Sequence, residues 1–303
     1  MYNTRIAPSP TGDMHIGTAR TAYFNWLAAK ASGGKFLLRI DDTDQKRNDP
    51  AYTQVILDTM DWLGLKYDEL VYQSHRFPIY NSAANFLISE GWAKEREGAI
   101  VFTLEPRRKE GYIFPSTWKD EIKGEIKITA DDKDNMEGMV LIKSDGSPSY
   151  NFCSVVDDML LSINYIIRGV DHITNTAKQV ILWEALSRQA DWEFPLPKFA
   201  HLGLICVAGK PMSKRDGASS MLHYRNAGYD PDAMLNFLAR LGWGPTVDDK
   251  SAVMLDTNRM LDLFLTGGKM RNASAGFDLS KLESFDRKYK ARKGVWRTGE
   301  KLL

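Results

Sequence analysis

At 303 residues, with 43% hydrophobic and 26% charged side chains, the chain has the composition of an ordinary globular protein, long enough for a sizeable core and more than one domain. A formal net charge of +1 excludes a globally basic nucleic-acid binder, so any basic surface must be local. Cys153 and Cys206 stand alone and the five histidines show no ligand spacing, which excludes a disulfide framework or a Cys-x-x-Cys knuckle and gives no reason to expect structural zinc or another bound metal. The N-terminus does not read as a signal peptide, and the longest apolar stretch, near 159–167, is far too short to span a bilayer. The chain therefore reads as cytoplasmic and without membrane association.

In chain order, residues 4–7 read as a short strand stopped by Pro8 and Pro10, followed by a turn around 11–13. A helix starts at Thr18 or an immediate neighbour, because Ala22, Tyr23, Trp26, Leu27 and Ala31 fall at helical spacing, and Gly33-Gly34 ends it. Residues 35–40 form a second strand, and a second helix runs from about 50 to 63 and closes at Gly64. Strand, turn, helix and strand of these lengths open a doubly wound parallel sheet of α/β class.

The middle reads differently. Residues 81–91 are helical, while 100–104, 113–114 and 125–129 look like short strands among charged turns, so 77–138 reads as an insertion with some β structure. The α/β pattern resumes with strands at 139–142 and 163–167, a helix at 176–190 and a strand at 199–207. From Pro231 onward only helix signals remain, at 231–241, 257–264 and 279–289. The last residues are rich in Lys and Arg, which reads as a solvated tail, with RNA contact as the alternative.

Two segments carry chemistry. The first is Arg5-Ile-Ala-Pro-Ser-Pro-Thr-Gly-Asp-Met-His-Ile-Gly-Thr18. His15 and Gly17 stand just before a helix N-terminus, where unpaired N–H groups and the helix dipole favour phosphate oxygens. Gly17 allows close approach of a nucleotide to the backbone, and His15 can donate a hydrogen bond to a phosphate in a transition state. The competing reading is a capping histidine in a tight turn. Arg5 and Ser9 flank the same turn, and Asp41 and Asp42 end the second strand. An Arg paired with acids at the carboxyl ends of strands can grip a zwitterion, or can be a structural ion pair.

The second segment, Gly209-Lys-Pro-Met-Ser-Lys-Arg-Asp-Gly217, has glycine at both ends and concentrates Lys210, Lys214 and Arg215. A cationic loop able to move suits a reaction that develops negative charge on phosphates, with Lys214 the strongest candidate. An ordinary solvated turn is the competing reading.

With both segments present, the chain resembles the class I aminoacyl-tRNA synthetases, and among them the bacterial-type glutamyl-tRNA synthetases. The signatures appear as His15-Ile-Gly-Thr18 and Met212-Ser-Lys-Arg215, and Pro8-Ser-Pro10 points to the bacterial type. Further landmarks follow in order: Arg39-Ile-Asp-Asp-Thr-Asp44, Leu141-Ile-Lys-Ser-Asp-Gly146, Ser149-Tyr-Asn-Phe152, Val155-Val-Asp-Asp158, Ile167-Arg-Gly-Val-Asp-His-Ile173 and Leu241-Gly-Trp243.

The resemblance implies a Rossmann-type catalytic domain divided into residues 1–76 and 139–242, with a shortened acceptor-end insertion at 77–138 and a partial helical stem-contact region at 243–303. It implies ATP bound by His15, Gly17, Thr18, Ser213, Lys214 and Arg215, with Mg²⁺ arriving in the nucleotide complex, and His15 and Lys214 catalytic. It implies L-glutamate held by Arg5, Ala7, Ser9, Asp41, Tyr150 and Arg168, with Arg168 on the side-chain carboxylate. Asp41 is one methylene shorter than the family's usual Glu, and Val170 replaces a usual acid. The insertion lacks roughly its first half, and near Leu303 relatives begin an anticodon-binding domain. The implied chain is a monomer that meets tRNA at its acceptor end, with a protein partner as one source of anticodon contacts. Alternatives are a glutamyl-queuosine tRNA(Asp) synthetase-like enzyme, glutamyl transfer to a non-tRNA acceptor, and a non-catalytic paralogue that binds tRNA or a synthetase.

A cation that gains its contact as charge develops predicts that Lys214→Ala lowers kcat by roughly 10²–10³ with little change in ATP affinity. Steady-state kinetics alongside equilibrium ATP binding checks it; an equal loss in both would remove the role.

Overall fold

A computed structural model describes residues 1–44, 46–188, 194–212, 220–245 and 254–294. The first strand, β1 (Thr4–Ile6), leads to α1 (Ile16–Ser32), β2 (Phe36–Ile40), α2 (Pro50–Trp62) and β3 (Glu69–Tyr72). These strands form a parallel sheet, Arg5 opposite Leu37 and Leu38 opposite Leu70. Local signals explain the boundaries. His15 caps α1, and Gly33 at φ +72° closes it with its N–H on the carbonyls of the last turn. Asp49 caps α2 ahead of Pro50, whose missing N–H costs nothing at a first helical position.

Next come α3 (Phe77–Ser89), the hairpin β4 (Ala93–Arg96) and β5 (Ala99–Phe102), α4 (Glu105–Lys109), the hairpin β6 (Thr117–Asp120) and β7 (Gly124–Lys127), α5 (Ala130–Asp134) and β8 (Val140–Ile142). The expected strand at 113–114 is absent. Tyr112 and Phe114 instead pack edge-on against the Trp92 ring, which leaves Ile113 89% exposed, and the strand forms four residues later. The chain continues through α6 (Tyr150–Leu160), β9 (Tyr165–Gly169), α7 (Ile173–Leu186), β10 (Lys198–Leu202), β11 (Ile205–Val207) and β12 (Lys210–Pro211). The single strand expected at 199–207 is two. It breaks at Gly203, where a Cβ would lie 2.5 Å from the Ala273 carbonyl oxygen, and the second part leaves the partners of the first to pair with β12 and with residues 275–276.

After these come α8 (Met221–Asn226), α9 (Pro231–Arg240), β13 (Trp243–Pro245), α10 (Thr257–Phe264), β14 (Gly268–Met270), β15 (Ala275–Gly276) and α11 (Leu279–Arg292). The expectation of helix alone after Pro231 is therefore corrected: β13 and β14 form an antiparallel pair, and β15 lies parallel to β11. These strands are too short to show an alternation signal. Of the basic tail, Lys290 pairs with Asp286 and Lys293 with Asp230 and Asp232, while residues 295–303 lie outside the described set.

A second parallel array, β9 beside β10 beside β6, continues the first sheet, because the Asn164 and Tyr165 N–H groups donate to the Asn3 carbonyl. Strand alternation splits the core between two faces. Ile6, Leu38, Ile40, Ile167 and Ala200 pack under α1, α9, α10 and α11, while Leu37, Ile166 and Phe199 pack under α3, α6 and α7. Helices on both faces of a parallel sheet make this a doubly wound α/β fold. Among the described residues no helix is long and apolar enough to cross a membrane.

The N-terminal segment packs on the β2 entrance so closely that a Cβ at Gly34 would lie 2.0 Å from the Tyr2 carbonyl oxygen. Gly34→Ala is expected to lower stability in urea unfolding by about 1–3 kcal/mol. A change within experimental error would show that residues before β1 yield freely.

Candidate active site

The carboxyl ends of β1, β9 and β10 open into a cavity of about 630 Å³. In open α/β sheets this is where ligands bind. Its walls include Arg5, Ala7, Ser9, His15, Gly17, Thr18, Tyr150 and Arg168, so the first segment and the more distant landmarks converge on one space. Met212 also lines it, and Ser220 bridges to the His15 backbone while its hydroxyl donates to Asp13 at 2.9 Å. The start of the second segment thus reaches the cavity, and the chain after it is tied to two residues of the cavity wall. Ser213, Lys214 and Arg215 lie outside the described residues.

His15 is a cap: its Nδ1 accepts the Gly17 N–H at 3.0 Å. This capping, one of the two readings offered by the sequence, also has a chemical consequence. A neutral ring whose Nδ1 accepts must carry its proton on Nε2, so capping selects the tautomer that can donate through Nε2. A side chain at Gly17 would place its Cβ 3.2 Å from that Nδ1, so glycine here accommodates the histidine as well as any ligand. The first turn of α1 contains no acid to oppose the dipole, which leaves it favourable to anions.

Arg5 does not pair with Asp41 or Asp42. It forms a two-pronged pair with Asp158, Nε at 3.0 Å and Nη2 at 3.1 Å. Asp41 is gripped by Arg39 at 2.6 and 3.1 Å, and Asp42 accepts the N–H and hydroxyl of Ser74. Strand alternation puts Asp158 within reach of Arg5, and Asp41 is already taken by Arg39. Arg5 lies opposite Leu37, so Arg5 and Arg39 point to the face covered by α6, where Asp157 and Asp158 wait. Asp41 is 6% exposed and is not among the cavity-lining residues.

Arg168 is 5% exposed and is held by neutral partners. Nη2 donates to Thr176 Oγ1 and Gln179 Oε1 at 2.7 and 2.6 Å, and Nε donates to His201 Nε2 at 3.2 Å. Its Nη1 is buried without a hydrogen-bond partner among the described residues. Burial pushes the guanidinium down to about 10, so it remains charged at neutral pH. Beside it, Tyr150 Oη lies 3.1 Å from His172 Nδ1, and burial, with Arg168 nearby, pushes His172 down to about 4. Arg20, another cavity-lining cation, is fixed by the Leu241 and Gly203 carbonyls, both at 2.9 Å.

Sequence analysis gives Arg39 and Asp158 only as parts of landmark motifs, without a role, and does not single out Thr176, Gln179 or His201. A signal existed: two acids inside Val155-Val-Asp-Asp-Met-Leu-Leu161 stand in an apolar run, where burial requires a partner. Among the described residues no group of three or more His, Cys, Asp or Glu side chains could hold a metal.

Burial pushes the Asp158 carboxyl up, but Arg5 and Arg39 hold it below the 3.8 of a free Asp. A depressed carboxyl contributes stability that is present above the unfolded value and lost as pH falls through the folded one. Asp158→Asn is expected to cost about 3–5 kcal/mol at pH 7, because two buried guanidinium groups lose their anion. The deficit should shrink as pH falls below 3.8, where the unfolded carboxyl protonates first and the folded one follows at lower pH. Urea unfolding at pH 7 and pH 3 reads both.

The family model for "tRNA synthetases class I (E and Q), catalytic domain" matches residues 1–98 and 106–283. A glutamate–tRNA ligase 1 of Wolinella succinogenes is 44% identical over 80% of this chain and 58% of its own length, and a glutamate–tRNA ligase 2 of Nitratiruptor is 40% identical over 95% and 67%. The chain thus spans roughly three-fifths to two-thirds of these curated relatives. The crystal structure of a glutamate tRNA ligase from Elizabethkingia meningosepticum in complex with its amino acid superposes with a TM-score of 0.79 at 27% identity, covering 98% of this chain and 74% of that one. Matched along nearly its whole described length, and carrying the first signature segment and Met212 of the second to one cavity, the chain belongs to the class I tRNA synthetase family for Glu and Gln, as its catalytic domain.

Proposed function

We propose that the chain activates L-glutamate with Mg·ATP and transfers the glutamyl group to the 3′ end of a tRNA. The observation that carries this reading is Arg168: a buried cation, oriented on two edges by neutral groups, left without an anion on a cavity wall. A carboxylate is the planar anion that a guanidinium edge fits, and a neutral amide would leave that charge uncompensated. The curated relatives, named glutamate–tRNA ligases, support the choice of amino acid.

In the proposed reaction an oxygen of the glutamate α-carboxylate attacks the α-phosphorus of ATP. The bond from that phosphorus to the bridging oxygen breaks, and pyrophosphate leaves with the electron pair. A hydroxyl of the tRNA 3′ ribose then attacks the acyl carbon, releasing AMP. Negative charge grows on the phosphates in the first step. The α1 N-terminus and His15, holding its proton on Nε2, favour it, and Lys214 does so from the second segment. Arg5, already neutralised by Asp158, shapes the amino-acid end without adding net charge.

Asp41, committed to Arg39, is not proposed as a direct contact to the substrate ammonium. Ala7, Ser9 and Tyr150 are proposed to complete the glutamate pocket, with Gly17, Thr18, Ser213 and Arg215 around ATP.

Glutamate-dependent pyrophosphate exchange, run with and without tRNA, is expected to be positive in at least one condition. Exchange in neither would leave a non-catalytic role. Arg168→Ala should lower kcat/KM for glutamate by several kcal/mol equivalents of rate, about 10²-fold or more, and abolish preference over glutamine. A variant that still prefers glutamate would move the specificity determinant elsewhere.

A further inference from the structure

Arg168 can act only if its plane is fixed, and its third constraint comes from outside its own strand and helix. His201 on β10 stands opposite Arg168 in the parallel register. Its Nε2 accepts from Arg168 Nε, and its Nδ1 lies 2.7 Å from Asp120 Oδ2. Asp120 is carried by β6, the parallel neighbour of β10 from the 77–138 segment. Asp120 and His201 are 1% and 0% exposed.

The proton positions follow from donor and acceptor counting. The other Asp120 oxygen accepts the N–H groups of Ile122 and Lys123 at 2.9 and 2.8 Å. Burial pushes the Asp120 carboxyl up, but these bonds and His201 hold it below the usual carboxylate range, so it only accepts. Nδ1 of His201 must therefore carry the proton. Burial pushes the imidazole down from its usual value, which keeps the ring neutral and leaves Nε2 an acceptor. The Thr176 hydroxyl oxygen accepts from Arg168 Nη2 and lies 2.9 Å from His201 Nε2 and 3.1 Å from the His172 carbonyl, so its single proton goes to one of these two acceptors, while Nε2 stays 3.2 Å from the Arg168 Nε that donates to it. Fixing Nε and Nη2 of a planar guanidinium fixes Nη1.

We propose that Asp120 and His201 are positioning residues for substrate recognition: Asp120 selects the His201 tautomer whose Nε2 orients Arg168 toward the substrate's side-chain carboxylate. This rests on the role proposed for Arg168. The competing role is packing, since the His201 ring also lies against Trp118 and Phe199.

The two roles separate with isosteric variants. In Asp120→Asn the amide oxygen is retained by the two backbone N–H groups, so the amide nitrogen donates to Nδ1 and the imidazole proton moves to Nε2. That puts two N–H groups face to face at Arg168. His201→Asn keeps a donor for Asp120 but no acceptor for Arg168. His201→Gln places an amide oxygen close to the position of Nε2.

Glutamate and ATP binding would be measured by calorimetry on the wild type and all three variants, with thermal unfolding of each. Asp120→Asn and His201→Asn are expected to weaken glutamate binding by about tenfold or more, the equivalent of one hydrogen bond to a charged group. His201→Gln should remain within about threefold of the wild type, with ATP binding unchanged throughout.

Unchanged glutamate affinity in Asp120→Asn and His201→Asn would overturn the inference. So would an equal loss in all three variants, which packing predicts. Nitrogen NMR of selectively labelled histidine reads the tautomer independently of the substrate. The His201 proton should be on Nδ1 in the wild type and on Nε2 in Asp120→Asn. No glutamate binding by the wild type would instead reject the role of Arg168, and an unchanged tautomer would reject the contribution of Asp120.

Discussion

Beneath the cavity a strip of charge is buried between the sheet and α6. Asp157 and Asp158 enter from the helix, Arg5 and Arg39 from the strands, and Arg76 from the start of α3, and none of the first four is more than 4% exposed. Charges removed from water hold only while each finds its partner, and removing one leaves the others uncompensated. Asp157 accepts from Gln73, Arg76 and Tyr80, while Asp158 accepts from Arg5 and Arg39. α6 therefore has one position against β1 and β2, and Arg5 one position on the cavity wall. Such a group contributes more to location than to net stability.

The charge balance around the cavity is uneven. Arg5 is matched by Asp158 and Arg39 by Asp41 and Asp158, but the hydrogen-bond partners of Arg168 are Thr176, Gln179 and His201, all neutral. One positive pole thus stands at Arg168. Another lies at the N-terminus of α1, where partial charge from unpaired amides adds to the His15 donor. A molecule with an anion at each end, one carboxylate and one phosphate chain, matches that distribution, and an activated acidic amino acid has it.

The chain that follows the second segment meets the first through the backbone. Met221 N–H donates to the Met14 carbonyl, and Ser220 bridges to His15, so the chain leaving the second segment is stitched to the turn that caps α1. Asp13, in the same turn, accepts from the Ser220 hydroxyl.

Helices α1, α2 and α9 were legible because capping and termination are local: His15 and Gly33, Asp49 and Pro50, Asp230 and Pro231 each satisfy or end a helix from within a few residues. The first parallel strands and the residues facing the cavity from Arg5 to Thr18 were legible for a related reason, since their spacing and chemistry sit in one continuous segment. Tyr150 and Arg168 were reached only through resemblance to a family. What the sequence could not decide was pairing. That Arg5 reaches Asp158 depends on which face of β1 lies under α6, a fact of register and not of composition. Asp120 and His201 are 81 residues apart and become neighbours only because β6 joins β10. The break of the expected 199–207 strand at Gly203 likewise goes with a distant pairing, since β11 runs beside β15. Long-range contact, not local preference, fixed each of these, and it fixed the orientation of the groups that would do the chemistry.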